Sequence, residues 1–250
     1  IAAANLKTEI HVALADASEE SLVKGARGVL EESSYDRKRK GPDPQKALRL
    51  GALLTVSHSE AEIVACDLVV EAIVENAIAK KELYARLEPQ LGPEAILTSN
   101  TSTIPITKLA EGLAHPERFC GLHFFNPVRR MKLVEVIRGK STSDETIATA
   151  VAYAKRLGKL PIVINDGPGF LVNRLLFPYM NEAIQLLCEG ASMKEVDRAS
   201  TTFGMPLGPI ALYDLVGLDT ALFAGRVMWE AFPDRVLLSP LLPALVKAGR

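Results

Sequence analysis

The sequence is poor in the features that would place it in several large functional classes. Its three cysteines, Cys66, Cys120 and Cys188, are widely spaced. This fits neither a disulfide framework nor a metal pattern and favours a reducing compartment such as the bacterial cytoplasm, with an organelle as the alternative. Lysine and arginine number 29 against 30 acidic residues, so no nucleic-acid-binding surface is expected. No apolar run is long enough to span a bilayer, and no signal peptide is visible.

An initiating methionine and a glycine-rich nucleotide loop are also missing from the start of the chain. A dinucleotide-binding α/β domain begins with a strand and the motif G-x-G-x-x-G, and no such match precedes the first predicted helix, residues 1–7. Asp16, at the end of a predicted strand, stands where the ribose-binding acid follows that motif by about 20 residues. We therefore expect the first strand and the glycine loop to be absent from this sequence, and dinucleotide binding to be weakened.

What is present is a regular alternation of strands and helices over residues 1–165, which predicts a doubly wound α/β domain. The predicted strands are residues 11–16, 53–56, 66–73, 95–99 and 161–164, with a two-stranded hairpin at 119–138. The predicted helices are residues 1–7, 18–34, 44–51, 77–91, 105–113 and 143–157. Beyond Asp166 the pattern changes to helical runs over 170–232 without a convincing strand. We predict an N-terminally incomplete Rossmann-like domain at 1–165 and an all-helical domain at 166–250.

The hairpin at 119–138 contains the most informative pair of polar residues. His123 ends one apolar run, Pro127 marks a turn, and Glu135 lies within a second apolar run. Two strands joined by this turn can bring the two side chains together. An imidazole oriented by a carboxylate is the minimal arrangement for proton transfer near neutral pH.

Five motifs, in the order in which they occur here, resemble the L-3-hydroxyacyl-CoA dehydrogenase family. They are Asp67–Asn76, Ser99–Ser102, Gly121–Pro127, Gly167–Arg174 and Met205–Pro209. Three further stretches look most like the dehydrogenase part of the multifunctional fatty-acid β-oxidation complex α-subunit. They are residues 100–106, 130–138 and 142–148. The resemblance implies a Rossmann-like domain followed by a helical domain, NAD as cofactor and an acyl-CoA as substrate. It also implies a homodimer or a subunit of a β-oxidation complex.

The resemblance also implies roles for individual residues. His123 would take the proton of the 3-hydroxyl group, Glu135 would orient it, and Ser102 and Asn173 would hydrogen-bond the substrate. A further set matches positions that contact NAD: Asp16, Ala72, Glu75, Lys80 and Asn100. The chain ends at Arg250, before the lysine-glycine-aromatic segment usual in the family, so the helical domain is expected to be incomplete at its C-terminus.

Taken singly, most of these residues also have a structural interpretation. Ser102 and Asn173 could serve turns or helix caps, Asp16 could cap the next helix, and Lys80 could be a solvated helix charge. Glu71, close to a buried strand, must be paired or lie at an exposed end. The basic run Arg37, Lys38, Arg39 and Lys40 is either a solvated face or a contact for CoA phosphates.

Three functions remain open at this point. The leading hypothesis is NAD-dependent oxidation of L-3-hydroxyacyl-CoA to 3-oxoacyl-CoA in fatty-acid β-oxidation. A stand-alone 3-hydroxybutyryl-CoA dehydrogenase is a close alternative. A catalytically inactive fragment that serves only assembly is the third, motivated by the missing glycine loop.

Overall fold

A computed structural model describes residues 1–236 and 239–249. Its internal contacts divide the chain into two compact units. The first comprises Ile1–Thr101 and Ile106–Asp166, and the second comprises Ser102–Pro105 and Gly167–Arg250. The first unit mixes strands with helices, and the described part of the second is helical, so the predicted α/β fold followed by a helical part is confirmed.

The first unit contains the following elements. Its helices are α1 (Ala2–Lys7), α2 (Glu19–Ser34), α3 (Pro44–Gly51), α4 (Ala61–Val64), α5 (Ala77–Leu87), α6 (Ile106–Leu109) and α7 (Asp144–Arg156). Its strands are β1 (Val12–Leu14), β2 (Tyr35–Asp36), β3 (Gly41–Pro42), β4 (Leu54–Val56), β5 (Leu68–Glu71), β6 (Ile96–Ser99), β7 (Phe119–Phe124), β8 (Leu133–Arg138) and β9 (Leu160–Asn165).

Strand pairing produces one large sheet and two small ones. The five-stranded sheet has the order β5-β6-β7-β8-β9, and only its β7–β8 pair is antiparallel. Strands β1 and β4 form a parallel pair, and β2 and β3 form a short antiparallel ribbon. The predicted hairpin is therefore the β7–β8 pair, set within an otherwise parallel sheet.

The core of this unit lies where α7 packs against β7 and β8. All six residues of β7 are buried, as are the four central residues of β8. Ala150 and Ala154 of α7 are four residues apart, lie on one face of the helix and are both fully buried. Their small side chains let the helix approach the sheet closely. Each large apolar side chain buried in this layer stabilises the fold by roughly 1.5–3 kcal/mol.

Local signals explain where several helices begin. Ser18, the first residue of the helix predicted at 18–34, caps α2, because its side chain accepts a hydrogen bond from the Ser21 backbone N–H. Asp43 caps α3 in the same way through Lys46 N, ahead of Pro44 at the first position of the helix. No strand was predicted between the helices at 18–34 and 44–51, yet Asp36 Oδ1 accepts hydrogen bonds from Lys38 N and Arg39 N in the turn that joins β2 to β3.

The second unit is a set of packed helices. They are α8 (Val172–Cys188), α9 (Met193–Phe203), α10 (Pro209–Val216), α11 (Leu218–Ala231) and α12 (Leu241–Lys247). Met180, Ile184, Tyr213, Ala221 and Leu242 form the buried cluster at their centre. Within the described ranges, no helix has the length and apolarity needed to cross a membrane.

A carboxylate caps one of these helices from a distant position. Asp197 in α9 accepts hydrogen bonds from the backbone N–H groups of Ile210 (2.8 Å) and Ala211 (3.2 Å), at the start of α10. A Cβ atom at Gly208 would lie 2.2 Å from Asp197 Cγ. The close approach of the two helices therefore requires glycine at position 208.

Candidate active site

A histidine and a glutamate face each other within the five-stranded sheet. His123 on β7 is the register partner of Glu135 on β8, and His123 Nδ1 lies 2.7 Å from Glu135 Oε2. Glu135 is fully buried, and His123 is 6% exposed. An ionised carboxylate only accepts hydrogen bonds, so the proton of this bond belongs to Nδ1 when Glu135 is ionised. The structure thus brings together the two side chains that the hairpin predicted.

Polar and aromatic neighbours define the surroundings of His123. The Phe125 ring lies 4.5 Å from the imidazole, centroid to centroid, at an interplanar angle of 52°. At the last residue of β7, the Phe124 backbone N–H donates to Asn100 Oδ1 over 2.9 Å. The aromatic side chain lowers the local dielectric constant, which strengthens the hydrogen bond between His123 and Glu135.

The turn between β7 and β8 is fastened by a lysine. It contains a cis Asn126–Pro127 peptide bond, and Lys159 Nζ donates to the carbonyl oxygens of Val128 and Met131. Burial lowers the pKa of Lys159, and the charge of Lys7 lowers it further. Lys159 directly precedes β9, so its ammonium group holds Val128 and Met131 of the turn close to the start of that strand.

Asn100, predicted to contact NAD, lies in the loop after β6. Its backbone N–H donates to the Glu71 carbonyl oxygen (2.8 Å), and its Oδ1 is engaged by Phe124 N. Among the described residues its Nδ2 group has no hydrogen-bond partner. The side chain is therefore fixed with two N–H donors available to a ligand at this end of the sheet.

Asp16, the predicted ribose ligand, lies two residues beyond the end of β1 and is exposed. Its Oδ1 accepts a hydrogen bond from Ser18 N over 2.9 Å. This bond orients the carboxylate at the N-terminus of α2. The geometry serves both interpretations of the sequence, a cap for the helix and an acceptor for ribose hydroxyls.

The loop after β5 contains two more of the predicted NAD contacts. Ala72 is exposed, and the Glu75 side chain is 28% exposed. Ile73, Val74 and Ile78 in and beside this loop are 42%, 68% and 70% exposed. Exposed apolar side chains next to a partly exposed carboxylate, at the carboxyl end of a parallel strand, suit the rings and ribose hydroxyls of a dinucleotide.

Lys80 lies in the first half of α5, yet its side chain is only 1% exposed. Its Nζ is 2.7 Å from Glu71 Oε1 and 3.6 Å from Glu75 Oε2. The interpretation of Lys80 as a solvated helix charge is therefore wrong, because the ammonium is buried against two carboxylates. Of the two predicted alternatives for Glu71, a paired carboxylate or an exposed strand end, the structure shows the paired one.

The two residues predicted to bind substrate outside the sheet contact each other. The Asn173 side chain donates from Nδ2 to the backbone carbonyl oxygen of Ser102 over 3.0 Å. Both residues are partly buried. Asn173 is in the first turn of α8, so this bond fixes the segment 102–105 to that helix.

A carboxylate from a distant position also determines where α6 begins. Asp166, directly after β9, accepts from Ile106 N at Oδ1 (2.9 Å) and from Thr107 N at Oδ2 (2.7 Å). Negative charge at a helix N-terminus is stabilised by the unpaired N–H groups there. Asp166 thereby anchors the helix that immediately follows the Ser102 segment.

Two sequence profiles match almost the whole chain. The profile for 3-hydroxyacyl-CoA dehydrogenase, NAD binding domain, matches residues 1–167, and that for 3-hydroxyacyl-CoA dehydrogenase, C-terminal domain, matches residues 169–250. The chain belongs to the 3-hydroxyacyl-CoA dehydrogenase family. Members of this family are NAD-dependent oxidoreductases, so the predicted enzyme class and the predicted cofactor are confirmed.

Solved structures agree with this family membership. (S)-3-hydroxybutyryl-CoA dehydrogenase PaaH1 from Ralstonia eutropha is 40% identical with a TM-score of 0.92, over 99% of this chain and 89% of that one. FadB2 from M. tuberculosis is 34% identical with a TM-score of 0.93, over the same shares of the two chains. The 3-hydroxybutyryl-CoA dehydrogenase of Escherichia coli is 35% identical with a TM-score of 0.92, over 100% of this chain and 54% of that one.

Within this family fold, sequence reasoning missed several polar contacts near the site. Tyr84 and Ser99 both donate to Glu71, and neither was singled out for a role with that carboxylate. A polar residue at the end of a buried strand was the available signal for Ser99. Tyr84 offered none, because a tyrosine on a helix facing the sheet looks like an ordinary core residue.

Proposed function

We propose that this chain catalyses NAD-dependent oxidation of L-3-hydroxyacyl-CoA to 3-oxoacyl-CoA in fatty-acid β-oxidation. The observation that carries the proposal is the buried His123–Glu135 pair in a chain of this family. The 3-hydroxyl proton passes to His123 Nε2 as the C3–O bond becomes a carbonyl. The negative charge of Glu135 stabilises the imidazolium that forms. NAD+, when bound, supplies the acceptor for the hydride that leaves C3.

The remaining residues bind and orient in this proposal. Ser102 and Asn173 hydrogen-bond the substrate oxygen, where donors stabilise developing negative charge. The residues suited to hold the cofactor are those at the carboxyl ends of β1, β5 and β6, and Asp16 would favour NAD over NADP because its charge repels a 2′-phosphate. The residues at these strand ends are Asp16, Ala72, Glu75 and Asn100, whereas the buried Lys80 contributes through its contact with Glu75.

The test is NADH oxidation with acetoacetyl-CoA, followed at 340 nm, for the wild-type chain and for His123→Ala. We expect turnover in the wild type and its loss in the variant. His115→Ala is a matched control, because His115 Nδ1 also lies near a carboxylate, Glu117 Oε1 at 3.1 Å, but on the surface. Equal turnover in His123→Ala would refute the proposed role of His123, and an inactive wild type would favour an assembly fragment.

A second candidate substrate is favoured by the comparisons. Two of the similar solved structures are 3-hydroxybutyryl-CoA dehydrogenases by title, at 40% and 35% identity. A stand-alone enzyme acting on four-carbon substrates is therefore the alternative to a β-oxidation subunit. Comparing kcat/KM for acetoacetyl-CoA and 3-oxodecanoyl-CoA separates them, since a short-chain enzyme loses efficiency with the longer substrate.

We also propose that the helical unit forms a homodimer contact. Phe203, Leu175 and Leu215 are 89%, 69% and 67% exposed on its helices, and a contact between two copies would remove such large apolar side chains from water. Sedimentation analysis at micromolar concentration should give twice the monomer mass. A monomeric wild type would contradict the proposal. A Phe203→Glu variant that remains as dimeric as the wild type would show that Phe203 is not part of the contact.

A further inference from the structure

The Glu71 carboxylate at the end of β5 accepts hydrogen bonds from four donors. Oε1 accepts from Ile73 N and from Lys80 Nζ, each at 2.7 Å. Oε2 accepts from Tyr84 Oη at 2.5 Å and from Ser99 Oγ at 2.7 Å. A carboxylate offers about four acceptor positions, so these donors fill its capacity. Glu71 is thereby joined to its own loop, to α5 and to β6.

The polar connections continue from Glu71 toward the surface. Lys80 Nζ, bound to Glu71, also lies 3.6 Å from Glu75 Oε2. Glu75 Oε1 accepts from Thr101 Oγ1 over 2.7 Å. The Glu75 carboxylate is therefore held between a lysine of α5 and a threonine that follows β6.

Side-chain exposure rises steeply along this series, from Glu71 to Glu75. The side chains of Glu71 and Lys80 are 0% and 1% exposed, whereas that of Glu75 is 28% exposed. Ser99 is fully buried. A ligand at this end of the sheet would thus meet Glu75, and would reach neither the Glu71 carboxylate nor the Lys80 ammonium.

We propose that Glu71 is a positioning residue for the cofactor, acting through Lys80 on Glu75. Its hydrogen bond from Lys80 Nζ holds the ammonium group close to the Glu75 carboxylate. Its hydrogen bond from Ile73 N fixes the loop that contains Ala72. This inference rests on the proposed function, because it assigns Glu75 and Ala72 to NAD.

A purely structural ion pair is the competing explanation. Buried ion pairs contribute little net stability on average, since desolvation offsets their attraction. The positions of the contacts favour the positioning role. All four donors bind Glu71, the residue directly before the loop 72–76, and the series of contacts ends on the partly exposed Glu75 carboxylate. The two explanations differ in what happens when the pair is removed without leaving an unpaired charge.

The decisive variant is Glu71→Gln combined with Lys80→Met, which removes both charges while keeping side-chain volume. We expect the double variant to fold, with a Kd for NADH raised about ten-fold and a KM for acetoacetyl-CoA unchanged. The kcat at saturating NADH should also be retained, because His123 and Glu135 lie on other strands. A folded double variant with wild-type NADH affinity would overturn the inference.

Two further variants complete the experiment. Tyr84→Phe keeps the ring that packs on Phe119, 5.2 Å between centroids, and removes one donor to Glu71. It should raise the Kd for NADH two- to four-fold, and it decides the question if the double variant does not fold. Lys81→Met, on the same helix, removes an exposed ion pair with Glu111 (2.7 Å) and should leave NADH affinity unchanged.

Binding is read by NADH fluorescence, separately from turnover. A wild type that binds NADH but does not turn over acetoacetyl-CoA refutes the proposed function, and the variants still decide the role of Glu71. An active wild type with unaltered NADH affinity in the variants refutes the role of Glu71 alone. A wild type that does not bind NADH refutes both.

Discussion

Two buried polar arrangements lie in the sheet unit, and they are held in place in different ways. His123 and Glu135 occupy opposite positions on paired strands, so the backbone register of β7 and β8 sets their separation. Glu71 and Lys80 come from a strand and a helix, and side-chain hydrogen bonds from Tyr84 and Ser99 help to hold them. The first arrangement depends on main-chain pairing, the second on side chains.

This difference determines how far the effect of a substitution spreads. Replacing Glu135 leaves the ladder between β7 and β8 intact, so we expect the effect to stay within the chemistry. Replacing Glu71 leaves a buried ammonium and two hydroxyl groups short of an acceptor, which destabilises their surroundings. Chemistry and fold are therefore separable at the first arrangement and linked at the second.

The largest effect is expected for Glu135→Gln. Glutamine can still accept the bond from His123 Nδ1, but the charge that stabilises an imidazolium is gone, and kcat should fall on the order of 10²-fold. The Kd for NADH should change by less than about two-fold, since general acid–base groups act on the chemical step. Steady-state kinetics and fluorescence titration check both values. An unchanged kcat would remove Glu135 from the mechanism.

Disturbing the strand pairing should instead affect fold and activity together. A Cβ atom at Gly121 would lie 2.7 Å from Ile137 Cδ1 and 2.8 Å from Ile137 Cβ, directly across the β7–β8 pair. We expect Gly121→Ala to lower the free energy of unfolding by about 1–3 kcal/mol through overpacking, with reduced turnover. Urea denaturation measures the loss. Full stability with wild-type turnover would show that the register does not set the site.

A smaller effect is expected at Asp16, which is held only locally, by the turn to Ser18. Asp16→Ala should raise the Kd for NADH about ten-fold, as expected for losing a hydrogen bond to a charged group. Asp36→Ala is the matched control, because Asp36 also accepts backbone N–H groups in its own turn. Equal NADH affinity in Asp16→Ala would leave helix capping as the role of this residue.

The smallest effect is expected for the Cys120 thiol on β7, which should not be alkylated in the native state. Burial raises the pKa of this thiol to about 12, so little thiolate exists at pH 8 and the side chain should resist iodoacetamide in the native state. Glu135→Gln should leave this resistance unchanged, whereas Gly121→Ala should weaken it. Mass spectrometry of the labelled peptide checks both. Fast labelling of Cys120 in the wild type would show that β7 opens readily.

Much of the fold was predictable because its signals are local. The helices predicted at residues 18–34 and 44–51 and the apolar runs of the sheet all depend on neighbouring residues, and each was found. The His123–Glu135 pair was predictable for a related reason, since a hairpin joins residues that are close in sequence. Local patterns therefore identified the part of the site that the backbone register builds.

The remaining features depend on residues far apart in sequence. The β2–β3 ribbon was missed because its turn residues, Arg37 to Lys40, form a basic run without a strand pattern. The sequence left Glu71 either paired or at an exposed strand end, and it could not identify Tyr84 and Ser99, which become neighbours of Glu71 only after α5 and β6 have packed. Helix α12 went unpredicted, since its seven residues are too short for a clear periodic pattern.

The cap that Asp166 places on α6 has a consequence for the order of folding. The amide hydrogens of Ile106 and Thr107 bond to a residue about 60 positions later in the chain, at the end of the last strand of the sheet. Pulse-labelling hydrogen exchange should therefore find these two amides protected only when β9 docks. The protection of these two amides therefore reports the moment at which the last strand joins the sheet.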